Sequence, residues 1–276
     1  MNYYFIYKGT GGLIHMLSGL VYSMNYCIKY KNILIIDVIS HECYKHYLND
    51  FFIIKNENCP NLEYTEDYNK IEPGTLYNRR LSMDYIKNYP NVEVTINTNQ
   101  HKYLIDKVNI RRKFSPEQSK IKVKIYAGPG SHQFSSIINF IKVKPEIINI
   151  IKEKPELNNY IGVHYRNTDI KNNINDIFKK INHTKYNNIY LATDDIKALD
   201  KFKQKFPNHN IYQYTIPVNS NGRPIHYYNN DKYNLVLNLL IDIYFLYYSN
   251  EFINSNESLI SRLILTMRQE NKSIFE

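Results

Sequence analysis

Hydrophobic patterns in the second half of the chain predict strands that alternate with helices. Strands buried on both faces of a parallel sheet read as short continuous apolar runs, whereas helices repeat apolar residues every three or four positions. The predicted strands lie at 160–165, 188–192, 210–213 and 251–254. The predicted helices lie at about 145–154, 173–181, 196–206, 232–248 and 258–271. This alternation predicts a parallel sheet with helices on both faces.

The first half opens with a similar pattern and then loses it. A strand-like stretch, a glycine-rich turn, an amphipathic stretch and an apolar run predict one strand–helix–strand unit. A further strand and helix are predicted after a long Asn- and Tyr-rich region, 40–118, in which no element can be predicted. The segments are 2–7, the glycines Gly9, Gly11 and Gly12, 13–30, 33–37, 121–126 and 134–141. A boundary near 140–145 divides the chain into predicted domains at 1–142 and 143–276.

Composition is that of a folded protein in a reducing compartment. Of 276 residues, 43% are hydrophobic and 22% are charged. The cysteines Cys27, Cys43 and Cys59 form no CxxC pair, which argues against a zinc site or a disulfide framework. No apolar run of about 18 residues and no signal peptide are visible, so we expect a cytoplasmic protein without a membrane span.

The net charge of +9 favours an anionic partner, such as a nucleotide diphosphate. Lysines are scattered along the whole chain, however, so a solvated basic surface is the stronger explanation of the charge. The cluster Arg111-Arg112-Lys113 suits either a phosphate contact or a solvated loop. No nucleic-acid-binding motif accompanies the charge, and we expect no nucleic-acid partner.

Polar residues follow three of the predicted strands, where ligands bind in parallel α/β sheets. They occupy 164–169, 193–195 and 255–258. Arg166 suits a diphosphate because its planar guanidinium donates two parallel hydrogen bonds and stays charged. Asp169 would orient Arg166 or accept a hydroxyl proton. The alternative is that the two residues form a surface ion pair beside a helix cap.

Two other strand ends carry candidate ligand-binding groups. Asp194 and Asp195 would accept hydrogen bonds from a base or ribose, bind a divalent metal, or favour the first turn of the next helix. Ser255 and Ser258 stand where a helix begins, so they suit either a phosphate or a helix cap. The turn at Gly11 and Gly12 fits neither GxGxxG nor the P-loop spacing, and it would allow close approach of the backbone to a ligand or acceptor.

These segments together resemble motifs of the fucosyltransferase superfamily. The resemblance is closest to the α1,6-fucosyltransferases and the nodulation-factor fucosyltransferases of glycosyltransferase family 23, with similarity to the α1,2- and protein O-fucosyltransferases. The family's IGVHxRRTDK resembles Ile161–Asp169, and its YLATDD is identical to Tyr190–Asp195. The third motif resembles Asp242–Leu246 followed by Phe252–Leu263. The opening glycine turn and the strand that ends at Asp37 are also similar to the family pattern.

The resemblance implies an α/β, GT-B-like fold with two Rossmann-like domains. It further implies transfer of fucose from GDP-fucose to a glycan or other hydroxyl acceptor with inversion, and no required metal or other cofactor. The N-terminal domain would serve the acceptor, and the C-terminal domain would bind the nucleotide sugar. By position, Arg166 would hold the β-phosphate and His164 would support the site from beneath. The other implied ligands are Asp194 and Asp195 on the nucleoside side, Asp242 at or behind the guanine, and Ser255 and Ser258 at the phosphates.

The sequence departs from the family pattern at several positions. Asn167 replaces the second arginine of the first motif, and the following lysine is displaced to Lys171. Asn256-Glu257 replaces the usual Phe-Ser of the third motif. The position of the family's candidate general base falls on Ile174, and Asp176 is the nearest carboxylate, so Asp176 or Asp169 would be the base. Two alternatives follow: a related transferase with another nucleotide sugar, and a catalytically degenerate nucleotide-sugar- or glycan-binding protein.

Overall fold

Two parallel sheets organise the chain, each within its own unit. The computed structural model describes residues 4–9, 11–30, 33–37, 48–54, 64–65, 92–96, 123–127, 132–167, 172–217, 231–254 and 258–276. The first unit comprises Met1–Leu48 and Ile54–Ile141, and the second comprises Asn49–Ile53 and Lys142–Glu276.

The first unit contains a sheet in the order β4-β2-β1-β6-β5, in which all paired strands are parallel. The strands are β1 (Tyr4–Lys8), β2 (Ile33–Asp37), β4 (Tyr64–Thr65), β5 (Val92–Ile96) and β6 (Val123–Ala127). The helices among the described residues of this unit are α1 (Leu13–Tyr30) and α2 (Phe134–Phe140). Helix α1 buries Leu17, Leu20 and Met24 completely, because its apolar residues recur at helical spacing and form one continuous face.

The second unit contains a parallel sheet in the order β10-β9-β8-β11. Its strands are β8 (Tyr160–Tyr165), β9 (Asn188–Thr193), β10 (Asn210–Tyr212) and β11 (Glu251–Asn254). Its helices are α3 (Pro145–Lys152), α4 (Ile174–Ile181), α5 (Ala198–Lys205), α6 (Lys232–Tyr248) and α7 (Leu259–Glu270). The strands and helices predicted for this half are therefore confirmed, with small differences at their ends.

Short elements account for the main differences from the sequence prediction. A 3₁₀ turn at Leu48–Asp50 precedes β3 (Phe52–Ile54), which pairs with β7 (Ile141–Val143) in a two-stranded sheet. The predicted helix 134–141 ends at Phe140, because Ile141 already has extended backbone angles. Strand β7 is then followed by Lys144, which stays extended because it precedes a proline.

The core of the second unit is built around aromatic side chains. Phe202 is completely buried and meets Phe178 edge-on, with ring centroids 5.1 Å apart. Phe206 also packs edge-on against Phe178, with ring centroids 5.3 Å apart. This cluster fixes α4 and α5 against β8 and β9, the two strands whose ends carry most of the candidate site residues.

Gly162 allows α6 to lie directly on β8. A Cβ atom at this position would come within 2.8 Å of the Ser249 hydroxyl oxygen and 3.2 Å of the Leu246 Cα atom. Since α6 carries Asp242, this glycine of the first motif has a packing role that also places a candidate ligand-binding carboxylate.

Candidate functional site

The parallel register brings the carboxyl ends of β8, β9 and β11 to one edge of the sheet. Tyr165 pairs with Thr193, and His164 pairs with both Ala192 and Asn254. The polar residues that follow these strands therefore emerge side by side, as expected for a ligand-binding edge of an α/β sheet.

Arg166 lies next to Asp194 at this edge. Their Nε and Oδ2 atoms are 3.8 Å apart, and both side chains are partly buried. The backbone carbonyl of Arg166 accepts a hydrogen bond from Asn172 Nδ2 at 2.7 Å. A partly buried guanidinium held in this way is placed in advance for an anion, because its orientation is already restricted.

Asn167 ties the end of β8 to both carboxylates after β9. Its backbone N–H donates to Asp194 Oδ1 at 2.6 Å, and its side-chain Nδ2 donates to Asp195 Oδ2 at 2.9 Å. Asn167 thus occupies the position of the family's second arginine and connects the two strand ends through neutral donors.

Asp195 is held by further donors from its own loop and from α5. Its Oδ1 accepts from the backbone N–H of Lys197 at 2.9 Å, and Lys201 Nζ lies 3.4 Å from Oδ2. Partial burial opposes ionisation, but the Asn167 and Lys197 hydrogen bonds and the Lys201 charge outweigh it and lower the pKa of Asp195. Asp195 is therefore an ionised carboxylate that holds Asn167, the Lys197 backbone and Lys201 together.

His164 lies beneath the site and is neutral. It is buried, and its Nδ1 is 2.8 Å from the hydroxyl of Ser261 on α7. Burial, and secondly the nearby Arg166 charge, lower the pKa of His164 to about 3. A neutral imidazole joins β8 to α7 here without adding a positive charge.

Ser258 stands at the N-terminus of α7. It is buried, its carbonyl accepts the first helical hydrogen bond from Arg262 N–H at 3.0 Å, and its hydroxyl has no hydrogen-bond partner in the described part of the chain. The side chain does not cap its own helix. This arrangement suits an anion at the helix N-terminus. Ser255 and Asp169 lie outside the described residues.

Asp242 faces β9 and the end of β10 from α6. Its Oδ1 accepts from the Tyr190 hydroxyl at 2.7 Å and from the Thr215 hydroxyl at 2.9 Å, and Oδ2 is 3.1 Å from the same threonine oxygen. Burial raises the pKa of Asp242 to about 7, although the two hydrogen bonds act in the opposite direction. A carboxyl group so near its titration point at neutral pH is common in functional sites.

Asp176 lies in the first turn of α4. Its side chain is 62% exposed, and Oδ1 is 4.0 Å from Lys179 Nζ in an i,i+3 pair. An exposed carboxylate keeps its freedom to turn, so its surface pair with Lys179 contributes little to holding it in place.

Gly11 and Gly12 belong to the first unit. Gly11 has a φ of +70°, and a Cβ there would lie 2.8 Å from His15 Nδ1. The carbonyl of Gly12 accepts from Met16 N–H at 3.0 Å and starts α1. The His15 ring in turn stacks on His132, with centroids 5.2 Å apart.

Several site residues were not predicted as such. Contacts between residues distant in sequence, which no local pattern indicates, are made by Thr215, Ser261, His15 and His132. The contact of Lys201 with Asp195 is local, but the sequence spacing does not indicate it either. Tyr190 lies inside the YLATDD motif, but its apolar neighbours in the sequence predict only that it belongs to a strand. The sequence marks Asn167 as a departure from the family motif, but no local pattern indicates its contacts with Asp194 and Asp195.

Two negative findings apply to the described residues. No group of three or more His, Cys, Asp or Glu side chains in these ranges is arranged to hold a metal ion. Within the same ranges, no helix has the length and apolar character needed to cross a membrane.

Comparison with known proteins identifies the fold. No protein-family model and no curated protein sequence matches the chain. Among solved structures, fucosyltransferase NodZ from Bradyrhizobium superposes with a TM-score of 0.62 at 19% identity, over 96% of this chain and 93% of that one. NodZ α-1,6-fucosyltransferase soaked with GDP-fucose gives 0.61 at 18% identity, over 96% and 92%. POFUT1 in complex with GDP gives 0.56 at 10% identity, over 95% and 93%.

These superpositions cover nearly the whole length of both proteins in each comparison. The chain therefore has the GT-B-like α/β fold of these fucosyltransferases, and the fold predicted from the sequence is confirmed. A shared fold at such low identity leaves function to be argued from the site itself.

Proposed function

We propose that this protein is an inverting glycosyltransferase that transfers fucose from GDP-fucose to a hydroxyl group of a glycan or other acceptor, without a required metal. The observation that carries the proposal is the cluster in which Arg166 and Asn167 meet Asp194 and Asp195 where β8 and β9 end. Asp242 binds Tyr190 of the same sheet. The fold neighbours crystallised with GDP or GDP-fucose support the choice of nucleotide.

In this proposal the second unit binds the nucleotide sugar. Arg166 contacts the diphosphate, and the Ser258 hydroxyl with the N-terminus of α7 offers further donors to a phosphate oxygen. Asp242 accepts hydrogen bonds from the guanine ring, Asp194 and Asp195 fix the loop on the nucleoside side, and His164 supports the strand beneath. Ser255 is assigned to the phosphates by the motif alone.

The reaction is a single displacement at the anomeric carbon. The acceptor oxygen forms a bond to that carbon as the bond to the GDP oxygen breaks, and the acceptor proton passes to a base. Arg166 stabilises the negative charge that develops on the leaving diphosphate, where a fixed donor contributes most. The first unit, with the turn at Gly11 and Gly12, is proposed to bind the acceptor.

A carboxylate is proposed to take the acceptor proton, either Asp176 or Asp169. We expect replacement of the true base by asparagine to lower turnover by about 10² to 10⁴-fold while GDP affinity changes little. Steady-state rates and GDP calorimetry on Asp176→Asn and Asp169→Asn distinguish the two. If neither variant lowers turnover, neither residue is the base.

The test of the proposed function is calorimetric titration of the protein with GDP, GDP-fucose and UDP, each with and without EDTA. We expect GDP and GDP-fucose to bind, UDP to bind far more weakly, and EDTA to have no effect. Incubation with GDP-fucose, GDP-mannose and an array of glycans then tests turnover and the donor sugar. Equal binding of UDP would contradict the guanine assignment, and loss of binding in EDTA would contradict metal independence.

A non-catalytic nucleotide-sugar-binding protein is the alternative that specific observations favour. Asn167 removes one positive charge next to the leaving group, and Asp176 is exposed and paired with Lys179. GDP-fucose binding without transfer to any acceptor or to water would support this alternative.

A further inference from the structure

The Asp242 carboxyl is held by two hydroxyl donors, one within β9 and one after β10. Tyr190 lies within β9, and Thr215 follows β10, whereas Asp242 lies on α6, so the three groups converge from three elements. Tyr190 and Thr215 are both buried, with 0% and 6% exposure. Oδ1 accepts hydrogen bonds from both hydroxyls. Of these two hydroxyls, only that of Thr215 also approaches Oδ2, at a longer distance of 3.1 Å.

We propose that Tyr190 and Thr215 are positioning residues that keep Asp242 ionised and turned so that Oδ2 accepts hydrogen bonds from the Watson–Crick edge of guanine. This inference rests on the proposed function. A guanine ring presents N–H donors at N1 and at its exocyclic amine, whereas adenine presents an acceptor at N1. Only an ionised carboxylate offers acceptors alone, so a protonated Asp242 would present a donor to another donor.

The surroundings of the carboxyl explain why two donors are needed. Burial raises the pKa of Asp242 to about 7 even though the Tyr190 and Thr215 hydrogen bonds lower it. The titratable side chains nearby are Tyr160 on β8 and Tyr214 after β10, which both act on Tyr190. Arg268 on α7 acts on Tyr160. Burial raises the pKa of each of these tyrosines, so they stay neutral while Asp242 titrates.

The direction of the pH effect follows. Because the ionised carboxylate is the form that accepts from guanine, GDP affinity should fall as the pH decreases through about 7 in the free protein. Removing either hydroxyl removes a contribution that lowers the pKa of Asp242. The acidic loss of affinity should therefore begin at a higher pH in both variants.

The experiment titrates wild type, Tyr190→Phe and Thr215→Val with GDP, IDP and ADP from about pH 5 to pH 9. We expect the acidic loss of GDP affinity to move up by on the order of one pH unit in each variant. IDP, which lacks the exocyclic amine, should bind more weakly than GDP in the wild type, and this preference should shrink in the variants. Protonation of the nucleotide phosphate changes the affinity equally in the wild type and both variants, so it does not affect the difference between their pH profiles.

The matched control is Tyr160→Phe. This change removes another buried tyrosine hydroxyl of the same unit, one that donates to the Phe245 carbonyl at 2.7 Å and does not contact Asp242. It should keep the wild-type pH profile even if it lowers stability. A wild-type profile in Tyr190→Phe and Thr215→Val, or the same shift in Tyr160→Phe, would overturn the inference.

A second readout separates this inference from the proposed function. The side-chain carboxyl carbons of ¹³C-labelled aspartate are followed by NMR in the protein without nucleotide, and Asp242→Asn identifies the Asp242 signal. Its titration should move to higher pH in both hydroxyl variants. If the wild type binds no guanine nucleotide, the proposed function fails and the base-reading role fails with it. An unmoved Asp242 titration in a protein that does bind GDP refutes the positioning role alone.

Discussion

Arg166→Ala is expected to lower turnover by about 10² to 10³-fold, the loss found when one fixed donor to a developing negative charge is removed. The guanidinium lies 3.8 Å from Asp194 Oδ2 and is partly buried, so its removal has two consequences. The diphosphate loses a cation, and the Asp194 carboxylate then repels it. GDP affinity should therefore fall in the same variant, as calorimetry and initial rates will measure.

Three companion variants separate the causes of this loss. Arg166→Lys keeps the charge but loses the planar pair of donors, so its activity should be intermediate. Arg166→Ala combined with Asp194→Asn should recover part of the GDP affinity, because the repelling carboxylate is gone. Lys205→Ala, at the exposed end of α5, removes the same charge outside the strand-end cluster and should bind GDP like the wild type. Unchanged GDP affinity in Arg166→Ala would remove the main support for the diphosphate site.

Most of the second unit could be predicted from the sequence because its elements are long and regular. The apolar run at Tyr160–Tyr165 and the helix Lys232–Tyr248 have the predicted bounds. The shorter strand Glu251–Asn254 has them too. A helix or strand that buries a whole face needs apolar residues at regular positions, so the hydrophobic periodicity alone is enough to predict these elements. The short strands Phe52–Ile54 and Tyr64–Thr65 have too few residues to show any period.

The candidate site could be predicted only where the sequence places its residues directly after a strand. The parallel register brings Arg166 beside Asp194, as a shared sheet edge requires. The partners of Asp242 could not be predicted, because Thr215 lies 27 residues away in a loop that carries no pattern. The contact of Lys201 with Asp195 likewise could not be predicted. It depends on the direction in which α5 begins, and the sequence spacing of the two residues does not determine that direction.

The aromatic cluster beneath this edge leads to the largest expected stability effect. Phe202 has no exposed surface and contacts Phe178, Phe206 and Tyr165, with centroids 5.1, 6.3 and 6.4 Å away. Phe202→Ala removes most of this contact and leaves a cavity between α4, α5 and β8. We expect the free energy of unfolding of the second unit to fall by about 3 to 5 kcal/mol.

Urea unfolding followed by near-UV circular dichroism measures this change, since the chain has 27 tyrosines and no tryptophan. The midpoint should fall by on the order of 1 to 2 M urea. Phe202→Leu keeps much of the volume and should lose about 1.5 kcal/mol or less. Ile196→Ala is the matched control, because Ile196 is 44% exposed just before α5 and should change stability by about 0.5 kcal/mol or less.

Because Tyr165 directly precedes Arg166, Phe202→Ala should also weaken GDP binding in the folded protein. An unfolding loss below about 1 kcal/mol would mean that the site can collapse around the missing ring, and the cluster would then not fix the strand ends.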